Sequence, residues 1–289
     1  MSTATDAPRF DLQAHSTCSD GTLGPAEVVR RAAAAGVELF ALTDHDTVAG
    51  LPEAQVAAEA EGVRLCPAAE LSAVHEEHED LHVLGYGLDP TDPGLQAALA
   101  DFRADRGRRV GAMAERLREL GFALDESRLA HRESVGRPHL AEALLAEPAN
   151  AERLSAEGIR DLDALFPAYL VPGAPAYVPR SRPNVKEAIA VIHGAGGVAV
   201  WAHPFWNVET PEEALGAVRT FAAAGLDGVE CFYITHTREE TLLLHDECEA
   251  RGLLSTGSAD FHGPDHERFH AFRAFALHGR EPRLGPIGA

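Results

Sequence analysis

Cysteines, basic residues and long apolar runs are all scarce in this 289-residue chain. Its four cysteines have neither paired nor zinc-type spacing, which argues against a disulfide framework and a thiolate zinc site. Only 25 basic residues stand against 45 acidic ones, and the net charge of −20 disfavours binding of duplex nucleic acid. No apolar run reaches membrane-spanning length, and the N-terminal segment has no apolar signal core. We therefore predict a cytoplasmic protein with no membrane partner.

The chain does contain a regular alternation of short β-type runs with alanine-rich amphipathic segments. Runs such as "VRLCPAAE" and "GVAVWAHP" are typical of strands, whereas "TPEEALGAVRTFAAAG" is typical of a helix that ends at glycine. Strands that alternate with helices in this way predict an α/β fold built from parallel βα units. The pattern alone leaves two architectures open, a closed barrel and an open doubly wound sheet.

The alternation stops over residues 101–183. The segment "DFRADRGRRVGAMAERLREL" predicts one arginine-rich helix, and "GRPHLAEALLAEPANAERL" continues the helical pattern. We interpret this stretch as a helical insertion that separates the two parts of the α/β fold, residues 1–100 and 184–289. The arginines fit either a solvated helix face or a cap over an anionic site.

Carboxylate and imidazole side chains collect where five of the predicted strands end. They are His15, Asp20, Asp44, His45, Asp46, Glu70, His203, Asp260 and His262. Because catalytic groups gather at the carboxyl ends of the strands in parallel barrels, we expect these side chains to converge. Imidazole and carboxylate without thiolate favour a hard or borderline divalent metal. His82 begins its apolar run instead of ending it, so spacing alone does not assign it to the cluster.

Eight short motifs, in this order along the chain, resemble those of the PHP (polymerase and histidinol phosphatase) phosphoesterases. They are "HSTCSDG", "LTDHDT", "AAELSA", "LHVLGYG", "GRPHLAEAL", "PAYVPR", "GGVAVWAHP" and "ADFHG". The nearest resemblance is to the bacterial branch that acts on nucleoside phosphates and short RNA. It implies a distorted, seven-stranded TIM-like (β/α) barrel, with residues 101–183 as a helical cap over its mouth.

The resemblance also implies a set of metal ligands around one bridging carboxylate. The first metal position would use His15, Glu70 and Asp260. Glu70 would bridge to a second position that also uses His82 and His203, and the third position would use Asp20, His45 and His262. Two or three divalent ions are expected, with manganese as the first choice and zinc, iron(II) or magnesium as alternatives.

Three further residues receive roles from the resemblance. Asp44 would orient a ligand imidazole, and Arg137 and His139 of the "GRPH" motif would lie near the substrate phosphate. A structural ion pair is the alternative for Arg137.

The expected activity is hydrolysis of a small phosphorylated substrate by a metal-activated hydroxide. The substrate would be a nucleoside 3′,5′-bisphosphate, a nucleoside monophosphate or a short 5′-phosphorylated RNA. Two alternatives remain, a phosphatase of the histidinol phosphate type and a catalytically impaired metal-binding module. The sequence carries no indication of an oligomeric state.

Gln13 departs from the family pattern, because "QAH" stands where the family has His-x-His. An amide oxygen is a neutral and poorer donor than imidazole, so one metal position is weakened. The first metal could bind with fewer protein ligands and more water, its position could be empty, or the substitution could slow catalysis and trap a ligand. Retention of the other ligands favours an active enzyme.

Overall fold

The computed structural model describes residues 8–76, 78–125, 127, 129, 133–180 and 183–289. The strands of the first of its two sheets are short and parallel, in the order β1-β2-β3. These strands are β1 (Phe10–Asp11), β2 (Leu39–Phe40) and β3 (Arg64–Leu65). Two helices connect them, α1 (Pro25–Ala34) and α2 (Leu51–Glu61). This half is therefore a run of parallel βα units, as its sequence pattern predicts.

The second sheet has five strands and mixed directions. It contains β4 (Ala68–His75), β5 (His78–Tyr86), β6 (Val198–Trp201), β7 (Gly228–Tyr233) and β8 (Leu254–Ser258), in that spatial order. β5 is antiparallel to both of its neighbours, whereas β6, β7 and β8 are mutually parallel. The prediction that "VRLCPAAE" forms one strand is wrong. The segment divides into β3 and β4 around Pro67, which has no N–H to donate to a ladder.

Three helices of the second half have well-formed first turns. The helices are α7 (Val185–Gly194), α8 (Pro211–Ala223) and α9 (Arg238–Arg251). Each begins with a capping box, in which the N-cap side chain and the glutamate three residues later satisfy each other's backbone N–H groups. Within the described ranges, no helix combines the length and the apolar character needed to cross a membrane.

The long helix α3 (Pro93–Glu119) belongs to two hydrophobic cores. Leu99 and Phe102 pack into the large core beneath the sheets, whereas Met113 and Leu117 pack into a second core drawn from residues 110–177. The second core also includes α4 (Arg137–Leu145), α5 (Ala151–Ala156) and α6 (Leu162–Leu165). The helix starts before the predicted insertion boundary at residue 101 and carries the chain from one core to the other.

Backbone bridges beyond the regular strands bring several strand ends together. Ala14 forms a parallel bridge with Phe261, and His45 forms one with Glu70. The N–H of Leu12 also donates to the carbonyl of Gly257 at 3.3 Å. These contacts join the segment that follows β1 to β8 and the segment after it, and they join the segment that follows β2 to β4.

His236, just after β7, gives a prediction about stability against pH. Burial lowers its pKa to about 4, while its Nδ1–H donates to the carbonyl of Cys231 at 3.0 Å. The unfolded chain therefore binds a proton that the folded chain does not between pH 6.5 and about 4, and the folded state loses stability as the pH falls through that range.

Replacing His236 with asparagine, which keeps a donor for the Cys231 carbonyl, should flatten that pH dependence. The loss of unfolding free energy between pH 6.5 and pH 4 should shrink by about 3 kcal/mol relative to the unchanged protein. Urea denaturation at a series of pH values measures it. If the free energies of unfolding of the two proteins change equally with pH, His236 is not the source of this pH dependence.

Candidate metal centre

Glu70 lies at the centre of the polar cluster. It is the third residue of β4, it is fully buried, and its carboxylate is approached by four imidazoles and one amide. Those side chains belong to His15, His45, His82, His203 and Gln13. Because the two carboxylate oxygens face different partners, Glu70 joins groups on its two sides.

One group forms around the Oε2 atom of Glu70. The Nε2 atom of His15 lies 3.1 Å from that oxygen and 3.2 Å from Oδ1 of Asp260. The other carboxylate oxygen of Asp260 accepts a hydrogen bond from the Tyr233 hydroxyl at 2.7 Å. Tyr233 therefore turns Oδ1 of Asp260 towards His15.

The second group forms around the Oε1 atom of Glu70. The Nδ1 atom of His82 lies 2.8 Å from it, the Nε2 atom of His203 lies 3.1 Å from it, and the two nitrogens are 3.2 Å apart. Three atoms that can bind a metal thus lie within hydrogen-bond distance of one another: the Glu70 oxygen and the two imidazole nitrogens. His82, which spacing alone did not assign, belongs to this group.

The third group surrounds the Asp20 carboxylate. Its oxygens lie 3.5 Å from Nε2 of His45 and 3.7 Å from Nε2 of His262. The Nδ1–H of His262 donates to the backbone carbonyl of Asp260 at 2.7 Å, which leaves Nε2 of His262 facing Asp20. The structure therefore brings all eight predicted ligand residues together, in three groups that share Glu70 or adjoin it.

Several buried nitrogen and oxygen atoms in these groups have no hydrogen-bond partner. They include His15 Nε2, Asp20 Oδ1, His45 Nδ1, His203 Nδ1 and Asp260 Oδ1. Buried polar atoms are normally satisfied, so a cluster of this kind needs an explanation. Imidazole nitrogens and carboxylate oxygens at these separations suit divalent metal ions, and His15, Asp20, His45 and His262 offer donor atoms within 4.8 Å of one another. The residues fit a metal centre.

The electrostatics of the cluster favour ionised carboxylates. Burial alone would raise the pKa of Glu70, but the imidazoles of His45 and His82 outweigh it and hold that pKa well below its usual value. For His45, burial dominates and lowers the pKa well below the usual value. For His15 and His203, the nearby carboxylates outweigh burial and raise the pKa, so a metal ion would displace protons from those two imidazoles.

Asp44 acts on the cluster through a serine. It was predicted to orient a ligand imidazole, but its carboxylate contacts no imidazole directly and instead accepts hydrogen bonds from Ser16 N–H, Ser16 Oγ and Ser19 Oγ at 2.6–2.7 Å. The Ser19 oxygen then lies 3.3 Å from Nδ1 of His15. Because Ser19 gives its proton to Asp44, it accepts from His15, and Nε2 of His15 remains a metal donor.

The amide nitrogen of Gln13 faces the central carboxylate. Gln13 is fully buried, its Nε2–H donates to Oε2 of Glu70 at 3.1 Å, and its oxygen lies 3.4 Å from the Ser258 hydroxyl. An amide N–H has no lone pair for a metal. In this arrangement Gln13 hydrogen-bonds to Oε2 of Glu70, the same oxygen that a metal ion between His15 and Asp260 would use.

The two "GRPH" residues lie at the start of α4 and differ in their contacts. His139 accepts the N–H of Gly136 on Nδ1 at 3.0 Å and donates from Nε2 to the Ser19 carbonyl at 2.8 Å. Both ring nitrogens are thus used within the protein, and His139 holds the loop before Asp20. Its place near the substrate phosphate stays a prediction. Arg137 donates to the carbonyl of Leu170 at 3.2 Å and faces a cavity.

That cavity, of about 90 Å³, connects the metal centre with four arginines. Its lining includes three of the predicted metal ligands, Asp20, His45 and His82, together with Arg106, Arg109, Arg137 and Arg180. Sequence analysis missed Arg106, Arg109 and Arg180 individually. Arg106 and Arg109 are three residues apart in one helix, so they share a helix face, and that spacing was the available signal.

Asp46 was also missed as an organising residue. It is fully buried with a φ of 54°, and its carboxylate accepts hydrogen bonds from Ser72 and from Nη1 of Arg106, the latter at 3.2 Å. Arg103 donates to its carbonyl at 2.9 Å. Through these contacts α3 holds the turn that carries His45.

Residues 11–156 match the family described as "PHP domain". The chain is similar to the 3′,5′-nucleoside bisphosphate phosphatase of Chromobacterium violaceum, with 34% identity over 88% of this chain and 87% of the relative. It is also similar to the 5′-3′ exoribonuclease of Haemophilus influenzae, with 33% identity over 89% and 90% of the two chains. Among solved structures, an amidohydrolase from C. violaceum with bound sulfate and no metal has a TM-score of 0.81 and 32% identity, covering 97% of this chain and 93% of that chain.

Proposed function

Because the chain belongs to the PHP family of metal-dependent phosphoesterases, we propose that it hydrolyses a phosphate ester of a nucleotide. The substrate class would be a nucleoside 3′,5′-bisphosphate, a nucleoside monophosphate or a short 5′-phosphorylated RNA. One observation carries this proposal: a single cavity is lined by three of the predicted metal ligands and by four arginines. Such a cavity suits an anionic substrate with more than one phosphate.

We propose that the metal centre has up to three positions around Glu70. His15 and Asp260 would serve the first, His82 and His203 the second, and Asp20, His45 and His262 the third, with manganese as the expected ion. Bound divalent ions polarise a phosphoryl group and lower the pKa of a coordinated water. The distances given above support this grouping. The buried nitrogen and oxygen atoms that lack a hydrogen-bond partner support it independently.

The residues of the chain itself would bind and orient the ester. The guanidinium groups of Arg109, Arg137 and Arg180 would neutralise the phosphoryl oxygens and hold the scissile phosphate against the metal centre, while Arg106 stays paired with Asp46. Asp44 and Ser19 would keep His15 in the tautomer that binds metal, and His139 would hold the adjoining loop by its bond to the Ser19 carbonyl.

We further propose that the two sheets form one distorted barrel with residues 101–183 as its cap. The bridges Ala14 to Phe261 and His45 to Glu70 support closure, since they join the first sheet to both edges of the second. The separate core of residues 110–177 supports the cap.

A substrate panel tests the proposed function. Protein treated with chelator and then reloaded with Mn²⁺ is assayed for phosphate or nucleotide release from adenosine 3′,5′-bisphosphate, AMP, a 5′-phosphorylated RNA trimer and histidinol phosphate. We expect turnover of at least one nucleotide substrate, faster than that of histidinol phosphate and abolished by chelator. Metal-loaded protein that hydrolyses only histidinol phosphate, or none of the four, would contradict the proposal.

Gln13→His is expected to strengthen the first metal position. It replaces an amide that donates to Glu70 with an imidazole that can coordinate beside His15 and Asp260, so metal content should rise or the most weakly bound ion should bind more tightly. Metal content after gel filtration and isothermal titration with Mn²⁺ measure both effects.

Gln13→Leu is the matched control, because it removes the hydrogen bond to Glu70 without adding a ligand. If Gln13→His and Gln13→Leu show the same metal content and Mn²⁺ affinity, the added imidazole does not coordinate and our interpretation of Gln13 is wrong.

A further inference from the structure

Trp206 is a large aromatic side chain that is half exposed beside the metal centre. Its relative exposure is 48%, whereas the other tryptophan, Trp201, is 1% exposed. It ends the short 3₁₀ turn Pro204–Trp206, and its N–H donates to the carbonyl of His203 at 3.0 Å. The left-handed backbone of His203, with a φ of 30°, turns the chain at this point. The position of Trp206 is thus fixed by the backbone of a proposed metal ligand.

A second aromatic ring connects Trp206 with the metal centre. The Phe269 ring lies 6.0 Å from the Trp206 ring and 5.4 Å from the His262 ring. The N–H of His262 donates to the carbonyl of Phe269 at 2.9 Å. Trp206 and His262 thus both contact the Phe269 ring, so the indole lies within two ring contacts of the Asp20 group.

The loop that carries Phe269 is held by its own hydrogen bonds. Nδ1 of His266 accepts the N–H groups of Arg268 and Phe269 at 3.2 and 3.1 Å. The Arg268 guanidinium lies over the Trp206 ring at 5.5 Å and reaches Asp163 on α6 at 3.6 Å. A cation over one face of an indole supports the ring in place. Trp206 is therefore an exposed aromatic ring that Arg268 and Phe269 hold in place close to the metal centre.

We propose that the Trp206 indole stacks against the base of the nucleotide whose phosphate lies at the metal centre. This inference rests on the proposed function and adds the recognition of the base. Arginines recognise phosphate but not a base, whereas an exposed aromatic ring stacks on any nucleobase through its π face. Purines offer the larger face and should bind more tightly than pyrimidines.

The first experiment compares adenosine 3′,5′-bisphosphate with its abasic analogue, which has the same sugar and phosphates but no base. The unchanged protein should show a KM about tenfold lower for the nucleotide, because a stacking energy of about 1.4 kcal/mol is a factor of ten. In Trp206→Ala the two KM values should become equal within about twofold, and Trp206→Phe should restore part of the difference.

Val56→Ala is the matched control, because it truncates another exposed apolar side chain, that of the 70% exposed Val56 on α2. It should keep the preference for the nucleotide. A preference that survives in Trp206→Ala, or that disappears in Val56→Ala as well, would overturn the proposal.

The second experiment measures binding without turnover. Because the chain has two tryptophans and Trp201 is buried, nucleotide added in EDTA should quench the fluorescence of Trp206 alone. The quench should be absent in Trp206→Phe and absent with the abasic analogue. If no substrate is hydrolysed the proposed function fails, yet this titration still tests the stacking. Fluorescence that varies with protein concentration and not with nucleotide would assign Trp206 to a contact between copies and overturn the inference.

Discussion

Replacing Glu70 with glutamine is expected to lower kcat/KM by about a thousandfold and to reduce the metal content of the protein. Glu70 faces His15 on one oxygen and His82 and His203 on the other, so one carboxylate serves two proposed metal positions. Neutral glutamine keeps the size of the side chain but loses its negative charge. Metal analysis and steady-state kinetics with added Mn²⁺ measure the two effects.

Glu61→Gln is the matched control, because it makes the same chemical change at an exposed position of α2. It should leave metal content and kinetics unchanged. Full metal content together with full activity in Glu70→Gln would show that Glu70 does not bridge two ions.

Replacing Arg106 with methionine is expected to lower the free energy of unfolding by about 3–5 kcal/mol. The change keeps a long apolar side chain but leaves the fully buried Asp46 carboxylate without its cation, whose Nη1 lies 3.2 Å away. Ser72 still donates to Asp46, but a hydroxyl and an N–H do not replace a guanidinium. Urea denaturation in EDTA measures the effect without any metal contribution.

Arg108→Met is the control on the same helix. Arg108 pairs with Asp105 at the surface, and such pairs contribute at most about 1 kcal/mol. Asp46→Asn in the Arg106→Met background should recover part of the loss, since it removes the buried charge. If Arg106→Met and Arg108→Met lower the free energy of unfolding equally, the buried pair of Arg106 and Asp46 does not stabilise the fold more than a surface pair.

The sequence predicted which side chains gather around Glu70 where the strands are parallel. His203 and Asp260 follow β6 and β8, so the rule that catalytic groups gather at the carboxyl ends of strands locates them. His82 escapes that rule because β5 is antiparallel to β4 and β6. An antiparallel strand begins at the end of the sheet where its parallel neighbours finish. His82 therefore stands at the beginning of its apolar run.

The arginine side of the cavity was less predictable. Arg106, Arg137 and Arg180 come from a helix, a helix start and a loop that are far apart in the sequence. Helical periodicity indicates which residues share a face, but it does not indicate what that face meets. The link from Asp44 through Ser19 to His15 was equally hidden, since an intervening hydroxyl leaves no spacing signal.

Anomalous diffraction from crystals soaked in Mn²⁺ tests the central claim most directly, that the side chains around Glu70 hold divalent ions. We predict strong manganese peaks near His82 and His203, on the Oε1 side of Glu70, and near Asp20, His45 and His262. The position beside Gln13, His15 and Asp260 should show the weakest peak. Crystals that show no manganese peak within coordination distance of Glu70 would contradict the account.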